Sequence, residues 1–172
     1  MDYFYPDLYQ KSIYDINYKK LKNLKIKCLL FDLDNTCVPY KENSINNKLK
    51  KLFKELKQMG FEVILFSNSP NKRLKKFKYL NIDYNALSLK PLSYSFNKII
   101  KKYKYKKDEI CIIGDQLFTD IYGGNKVGIK TCLVDPLTDY DLFFTRITRH
   151  FENKKINKYE KKGKFKRGNY YD

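Results

Sequence analysis

The sequence predicts an α/β fold with a central parallel sheet that helices cover on both faces. Short apolar runs alternate in strict rotation with segments of helical period, which is the pattern of parallel sheets. The runs lack polar alternation, as expected of strands that are buried on both faces. A chain of 172 residues with an apolar fraction of 42% can bury one core without disulfides or metal ions.

The predicted strands are the continuous apolar runs, each bounded by turn or polar residues. A further short strand fits between the second and third helices. The runs span residues 26–31, 61–66, 110–113 and 129–134.

Apolar spacing predicts four helices between these runs. The first has a cap candidate in Asn43 or Ser44 and stops at Gly60. Its apolar face consists of Ile45, Leu49, Leu52, Phe53, Leu56 and Met59.

Proline and glycine mark the bounds of the remaining helices. The second helix begins at Ser69-Pro70, because a cap followed by proline suits a first turn. The third follows Pro91, and the fourth spans about residues 117–126 and ends before Gly128.

The charge is strongly positive, with 36 basic and 19 acidic residues and a net charge of +17. Such a field attracts nucleic acid, anionic lipid or phosphorylated substrates. Compositional bias is the open alternative, because lysine supplies 32 of the basic residues and Ala86 is the only alanine. No apolar run reaches the roughly 18 residues that span a bilayer, and the first residues do not resemble a signal peptide. We therefore expect a cytoplasmic protein, peripheral at a membrane if the charge binds lipid.

The four cysteines, Cys28, Cys37, Cys111 and Cys132, form no C-x-x-C pair. We expect them to be small buried hydrophobes in a reducing compartment. His150 is the only histidine, so a Ser-His-Asp or Cys-His mechanism would depend on one residue and is not expected.

Polar motifs directly follow the predicted strands. DLDNT occupies 32–36, SNS occupies 67–69 and GDQLFTD occupies 114–120, while Lys90-Pro91 precedes the third helix. Ligands of open parallel sheets bind outside the carboxyl ends of the strands, so these motifs should meet at one edge.

Carboxylates that converge at one edge repel one another unless a cation lies among them, and their hard oxygens favour Mg²⁺. A lysine and a hydroxyl nearby would suit a phosphate. One carboxylate can then attack phosphorus while a second, two residues on, protonates the leaving oxygen. The pattern indicates phosphoryl transfer.

Structural alternatives remain for single residues of these motifs. Lys90 can be one of many solvated lysines, and Ser67-Asn68 can form a turn. Asp120 can be an acidic residue at a helix start, where the dipole favours it.

The ordered motifs D-x-D-x-T, S-N, K-P and G-D-x-x-x-x-D resemble those of the haloacid dehalogenase (HAD) superfamily. The strings DLDNT and GDQLFTD, with Pro6-Asp7, Ser12-Ile13 and Asp15-Ile16, are similar to its subclass III YqeG group. Relatives of that group include the mitochondrial-type phosphatidylglycerophosphatases. The likeness covers about residues 6–152.

The resemblance implies a Rossmann-like HAD fold and a Mg²⁺-dependent phosphatase. Asp32 would be the nucleophile that forms an aspartyl-phosphate, and Asp34 the general acid that later activates water. Ser67 would hold a phosphoryl oxygen, and Lys90 would steady the nucleophile and the phosphate charge.

The resemblance also implies the binding residues. Thr36 would shape the loop and, with Asn68, Ser67 and Lys90, form the substrate-binding set. The implied metal ligands are Asp32, Asp34, Asp115 and Asp120.

The intervals at 37–44 and 69–89 are too short for the cap domain that can cover such sites. An uncapped site suits the phosphate of something large, such as a lipid headgroup, and phosphatidylglycerophosphate is the substrate that the resemblance suggests. Two alternatives stay open: a nucleic-acid end phosphatase, and an RNA- or ribosome-associated binding protein on an inactive HAD fold.

Lysines crowd the end of the chain, where aliphatic residues become rare. We therefore expect a HAD-type phosphatase domain at 1–152 and a mobile basic tail at 153–172. Its interleaved Ile156, Tyr159 and Phe165 suggest contact with an anionic membrane or RNA, and a solvated terminus is the alternative.

Overall fold

The central sheet has six parallel strands. The structure is a computed structural model that describes residues 2–40, 42–44, 46–138, 143–163 and 165–172, with the side chains of 143–147 excepted. The strands are β1 (Leu8–Gln10), β2 (Cys28–Phe31), β3 (Glu62–Phe66), β4 (Asp83–Asn85), β5 (Ile110–Gly114) and β6 (Lys130–Val134). Their spatial order is β1-β6-β5-β2-β3-β4. The predicted α/β fold with a central parallel sheet is confirmed.

Strand β2 lies in the middle of the sheet, and this position organises the functional edge. Phe31, its last residue, pairs in register with Leu65 of β3 and with Ile113 of β5. Because all three strands are parallel, the residues that follow them emerge at one edge of the sheet.

Side chains alternate between the two faces of the sheet, and each face has its own apolar cluster. The helices are α1 (Tyr18–Asn23), α2 (Asn47–Gln58), α3 (Asn71–Leu74), α4 (Ser93–Tyr103), α5 (Tyr122–Val127) and α6 (Phe143–Lys161). Leu29 of β2 belongs to a cluster with α1 and α2, whereas Leu30 belongs to a cluster with Phe96 of α4 on the other side. Both faces are therefore covered, as the continuous apolar runs predict.

Helix α2 begins later than either predicted cap. Asn46 caps it, since its side-chain oxygen accepts a hydrogen bond from the Leu49 amide at 2.8 Å. The expectation of Asn43 or Ser44 as the cap is therefore wrong, and the predicted face residue Ile45 lies outside the described residues. The predicted stop is confirmed, because Gly60 adopts a left-handed φ of 83° just beyond the helix.

Two predicted helices are less regular than their apolar spacing suggests. Helix α3 continues as a 3₁₀ helix at Lys75–Leu80, and the fourth predicted helix opens with a π-helical turn at Leu117–Ile121 before α5. Strand β1 and helix α1 are only three and six residues long, and neither was predicted from the sequence. Helix α6 was not predicted either, although it has 19 residues.

The C-terminal segment packs on the domain. Ile156 and Tyr159 of α6 and Phe165 are buried in a cluster with Tyr9 of β1, and Tyr171 exchanges backbone hydrogen bonds of 2.8 Å with Tyr9. The expectation of a tail beginning at residue 153 that lies outside the packed domain is corrected for these residues. Their side chains are occupied by the core and do not form the membrane- or RNA-binding stripe that their spacing suggests.

All four cysteines are buried and free, which confirms that they act as small hydrophobes. No helix among the described residues combines the length and apolar composition needed to cross a bilayer.

Candidate active site

Asp32 directly follows β2, and its amide extends the sheet ladder by donating to the Ile113 carbonyl at 2.9 Å. Its carboxylate Oδ1 accepts a hydrogen bond from Lys90 Nζ at 2.7 Å, and both side chains are buried. Lys90 Nζ also donates to Asp120 Oδ1 at 2.7 Å. Lys90 is therefore not the solvated lysine of the alternative interpretation; it joins two carboxylates that are 88 positions apart in the chain.

The Asp34 carboxylate is bound by residues that follow β3. Arg73 donates from Nε at 3.0 Å and from Nη2 at 2.8 Å to Asp34 Oδ1, and the Ser69 hydroxyl donates to Oδ2. The chain turns here because Asn35 adopts a left-handed φ of 62°, a conformation that asparagine tolerates better than most residues. Arg73 thus fixes the carboxylate of Asp34, for which the motif resemblance implies a role in proton transfer.

Ser67 and Asn68 follow β3 and shape the loop that carries Lys90. The Asn68 side chain accepts from the Lys90 amide at 2.8 Å and donates to the Lys90 carbonyl at 3.0 Å. Ser67 is buried, and its hydroxyl accepts from the Ser69 amide at 3.2 Å. In this arrangement Asn68 positions the lysine backbone, while Ser67 faces the cavity described below.

Asp115 follows β5 and is held by residues from two distant elements. The Thr36 hydroxyl donates to Asp115 Oδ1 at 2.9 Å, and Arg149 of α6 pairs with Oδ2 and donates to the Asp115 carbonyl at 2.6 Å. Arg149 also pairs with Glu152 at 3.3 Å, which in turn accepts from the Phe118 amide at 2.8 Å. Helix α6 therefore contributes directly to the site.

Asp120 is fully buried and lies against the end of β5. Besides Lys90, it accepts a hydrogen bond from the Gln116 amide at 3.2 Å. Its carboxylate occupies the space that a Cβ on Gly114 would take, so the glycine of the GDQLFTD motif is needed for close approach. These buried partners argue against a role as a mere helix-start charge.

Burial and crowded carboxylates dominate the electrostatics. Burial raises the pKa of Asp32 to about 8, against the lowering effect of Lys90. Burial also raises the pKa of Asp115, and that of Glu152 to about 7. Burial lowers the pKa of Lys90, but the Asp120 and Asp32 carboxylates outweigh it and raise the pKa overall.

The ion pairs of the described site leave an excess of negative charge. Five carboxylates meet three cationic side chains, which are those of Lys90, Arg73 and Arg149. When every group is ionised, two negative charges remain, which a divalent cation would balance. Within the described ranges, no group of three or more Asp, Glu, His or Cys side chains is arranged to hold a metal ion by itself.

A cavity of about 650 Å³ opens above Asp32, and nothing in the described residues resembles a cap domain over it. Its wall is formed mainly by the loops that follow β2, β3 and β5, together with Thr148 of α6. The polar side chains that line it include Asp32, Asp34, Ser67, Asn68, Arg73, Lys90 and Gln116.

A family model described as mitochondrial PGP phosphatase matches residues 2–138. The chain belongs to that family. It is accordingly a phosphatase of the HAD superfamily, a phosphoric monoester hydrolase, as the ordered motifs predict.

Relatives of the chain agree with this assignment. The probable phosphatase YqeG of Bacillus subtilis is 36% identical over 162 residues, which are 94% of each chain. Phosphatidylglycerophosphate phosphatase 1, chloroplastic/mitochondrial, of Arabidopsis thaliana is 26% identical over 171 residues, 92% of this chain and 49% of that protein. The chain thus spans about half of the Arabidopsis protein.

The fold also matches a solved structure. The putative HAD-hydrolase YfnB of Bacillus subtilis, determined with bound magnesium, aligns with a TM-score of 0.52 at 15% identity. The alignment covers 69% of this chain and 91% of that chain. This likeness supports the Rossmann-like HAD fold.

The site of this phosphatase contains three residues that sequence reasoning missed: Arg73, Arg149 and Glu152. The sequence did offer a signal for the two arginines, because arginine is rare in this lysine-rich chain. Only four of the 36 basic residues are arginine, and two of those four pair with site carboxylates. A guanidinium binds a carboxylate through several donors, which an ammonium cannot do in a fixed orientation. Nothing comparable in the sequence distinguishes Glu152.

Proposed function

We propose that the protein hydrolyses phosphomonoesters with Mg²⁺ through a covalent phosphate on Asp32. The observation that carries this proposal is the buried pair of Asp32 and Lys90 at 2.7 Å, which lines an open cavity together with Asp34. A nucleophilic carboxylate needs a fixed cation beside it and an acid within reach. The same intact arrangement speaks against an inactive binding protein.

The proposed reaction has two steps. An oxygen of Asp32 attacks phosphorus, the bond to the leaving oxygen breaks, and Asp34 gives that oxygen a proton. Asp34 then takes a proton from water, whose oxygen attacks the phosphorus and releases inorganic phosphate and the Asp32 carboxylate. Lys90 offsets the phosphate charge, and the Ser67 hydroxyl binds a phosphoryl oxygen.

The residues fit a magnesium site that protein, water and phosphate complete together. Asp32 and Asp115 would hold the ion, because Mg²⁺ is usually bound by one or two carboxylates with water and substrate phosphate. When bound, the ion neutralises phosphoryl oxygens and draws charge from phosphorus. Asp34 and Asp120 remain predicted ligands, and all four of these carboxylates pair with a cationic side chain. The magnesium in YfnB supports this choice of ion.

We propose a large or lipid-borne phosphate as the substrate class, with phosphatidylglycerophosphate as the leading candidate. Support comes from the uncapped cavity and from the Arabidopsis relative, whose name gives that lipid as its substrate. A nucleic-acid end phosphatase is the alternative that the net charge leaves open.

The test measures phosphate release with Mg²⁺ and with EDTA from p-nitrophenyl phosphate, phosphatidylglycerophosphate, a 5′-phosphorylated oligonucleotide and a sugar phosphate. We expect EDTA to stop turnover and Mg²⁺ to restore it. Asp32→Asn should remove nearly all activity, and Asp34→Asn should cost roughly 10²–10⁴. Asp108→Asn, an exposed carboxylate before β5, is the matched control. Full activity of Asp32→Asn or indifference to EDTA would overturn the mechanism, and preference for the oligonucleotide would overturn the substrate class.

A further inference from the structure

We propose that the loop carrying Lys90 and the start of α4 dock the protein on an anionic lipid surface through four exposed apolar side chains. We call these side chains the leucine surface: Leu87, Leu89, Leu92 and Tyr94. They are 59%, 58%, 56% and 72% exposed, respectively. The inference concerns where the protein binds, and it does not depend on the chemistry proposed for Asp32.

The loop buries its polar side chains and exposes its apolar ones, which is the reverse of an ordinary surface segment. Ser88 and Lys90 point inward and are buried, whereas the alternating Leu87 and Leu89 point into solvent. An exposed leucine by itself needs no explanation, but a cluster beside a binding cavity marks an interaction site. The inward polar residues serve the site, so the apolar residues face outward towards whatever approaches it.

The backbone holds the leucines in this orientation through hydrogen bonds to the site loop. The Leu87 amide donates to the Ser69 carbonyl and the Ser88 amide to the Ser67 carbonyl, both at 3.0 Å. Leu87 and Leu89 adopt left-handed φ values of 49° and 52°. This conformation is costly for a bulky residue and persists only where surrounding contacts impose it, which is typical of functional segments.

Charge next to the leucine surface selects an anionic partner. Helix α3 begins two residues after Ser69, and together with its 3₁₀ extension it exposes Lys72, Lys75 and Lys76. Lys76 donates to Asn43, which lines the catalytic cavity, so this basic group borders the cavity mouth. Lysines near an anionic bilayer attract it, while aliphatic side chains enter its apolar region.

Lipid suits this surface better than nucleic acid does. Proteins bind single strands largely by stacking aromatic rings on bases, and of the four residues of the leucine surface only Tyr94 carries a ring that could stack. The cavity mouth lies beside the leucine surface, since Lys90 and Pro91 line the cavity between Leu89 and Leu92. A phosphate held at the lipid surface would therefore meet Lys90 and Asp32 without leaving that surface.

The test uses a double variant, Leu87→Asn with Leu89→Asn. Asparagine tolerates left-handed φ better than leucine, so the variant should fold at least as well as the native chain. Leu24→Asn is the matched control, because Leu24 is exposed but precedes β2, at the opposite end of the sheet. Flotation is measured with vesicles of phosphatidylglycerol and phosphatidylcholine, and with phosphatidylcholine alone.

We expect the native protein to bind the anionic vesicles, more weakly at high salt, and the double variant to bind at least about tenfold more weakly. Leu24→Asn should bind like the native chain, and all three proteins should hydrolyse p-nitrophenyl phosphate equally. Absent vesicle binding, or equal binding by the double variant, overturns the proposal. A native dimer in size-exclusion chromatography that the double variant dissociates would identify a second copy as the occupant instead. Loss of turnover in Asp32→Asn with intact vesicle binding would affect only the chemistry.

Discussion

Burial of the Asp32 carboxylate costs folding free energy that Lys90 does not fully offset, because burial raises its pKa to about 8. Asp32→Asn removes this cost, while Lys90 keeps Asp120 as its partner. We expect the variant to melt several degrees higher than the native chain at pH 7.5 in EDTA. Each unit of pKa shift corresponds to about 1.4 kcal/mol of unfolding free energy, and each kcal/mol raises the melting temperature by about 2–4 °C. Even half of the pKa shift of Asp32 would therefore give a measurable change in melting temperature.

Asp34→Asn is the matched control for that experiment. Asp34 is paired with Arg73, so its neutralisation leaves a guanidinium without its carboxylate and should not stabilise the fold. Scanning calorimetry of the three metal-free proteins makes the comparison. An equal rise in both variants would contradict the argument from burial.

Arg73 positions the proposed general acid, since two of its nitrogens contact Asp34 Oδ1. Arg73→Gln should lower kcat on a soluble phosphomonoester by roughly 10–100-fold with little change in KM, because misplacing a proton donor slows the chemical step. Arg73→Lys should recover part of kcat, since it keeps the charge but not the fork of donors. Lys72→Gln, an exposed neighbour, should behave like the native chain. Native kcat in Arg73→Gln would refute this role.

At the scale of elements, α6 is part of the fold and not an appendage. Ile156 is buried in the cluster beside β1, so Ile156→Ala should lower the free energy of unfolding by about 2–4 kcal/mol. Lys154→Ala, exposed on the same helix, should change it little. Urea denaturation measures both. If the two variants have equal stability, the segment does not pack as described.

The packing of α6 predicts what truncation of the chain after Glu152 should do. Such a chain loses Ile156, Tyr159 and Phe165 from the core and weakens the helix that presents Arg149 to Asp115. Turnover of soluble and lipid-borne substrates should therefore fall together. A loss confined to vesicle-embedded substrate would restore the hypothesis of a membrane-binding tail.

At the scale of the whole molecule, the buried acids link stability to pH. The raised pKa values of Asp32 and Glu152 mean that the folded protein keeps protons that the unfolded chain releases near pH 4. Their contribution to stability is complete below pH 4 and is lost as pH rises through about 7 to 8. In EDTA, the free energy of unfolding should fall between pH 5.5 and 8.5, by up to about 1.4 kcal/mol per pH unit for each group.

Magnesium should reduce that fall, because it binds the deprotonated carboxylates and stabilises the folded state by mass action. Thermal melting across the same pH range, with Mg²⁺ or with EDTA, provides the measurement. Asp32→Asn should show a flatter pH dependence and a smaller response to Mg²⁺. Stability in EDTA that rises with pH would contradict the pKa directions on which this prediction depends.

The sequence by itself determined the sheet and the order of the motifs. Strands buried on both faces appear as continuous apolar runs, and parallel strands bring the residues after them to one edge, so Asp32, Ser67 and Asp115 were predictable together. Such features are local in the chain, or follow from topology alone. Strand β1 was not predicted, because a strand of three residues is too short to show a hydrophobic period.

Only the tertiary structure decided the partners of those motif residues. Arg73 meets Asp34 across 39 positions and Arg149 meets Asp115 across 34, and no local pattern specifies contacts at such separations. The docking of α6 depends on a few apolar residues among many lysines, and they are buried only in the cluster that contains Tyr9 of β1. Hydrophobicity alone would favour burial of Leu87 and Leu89, but both side chains are exposed. Their outward orientation follows from backbone hydrogen bonds between this segment and the loop after β3.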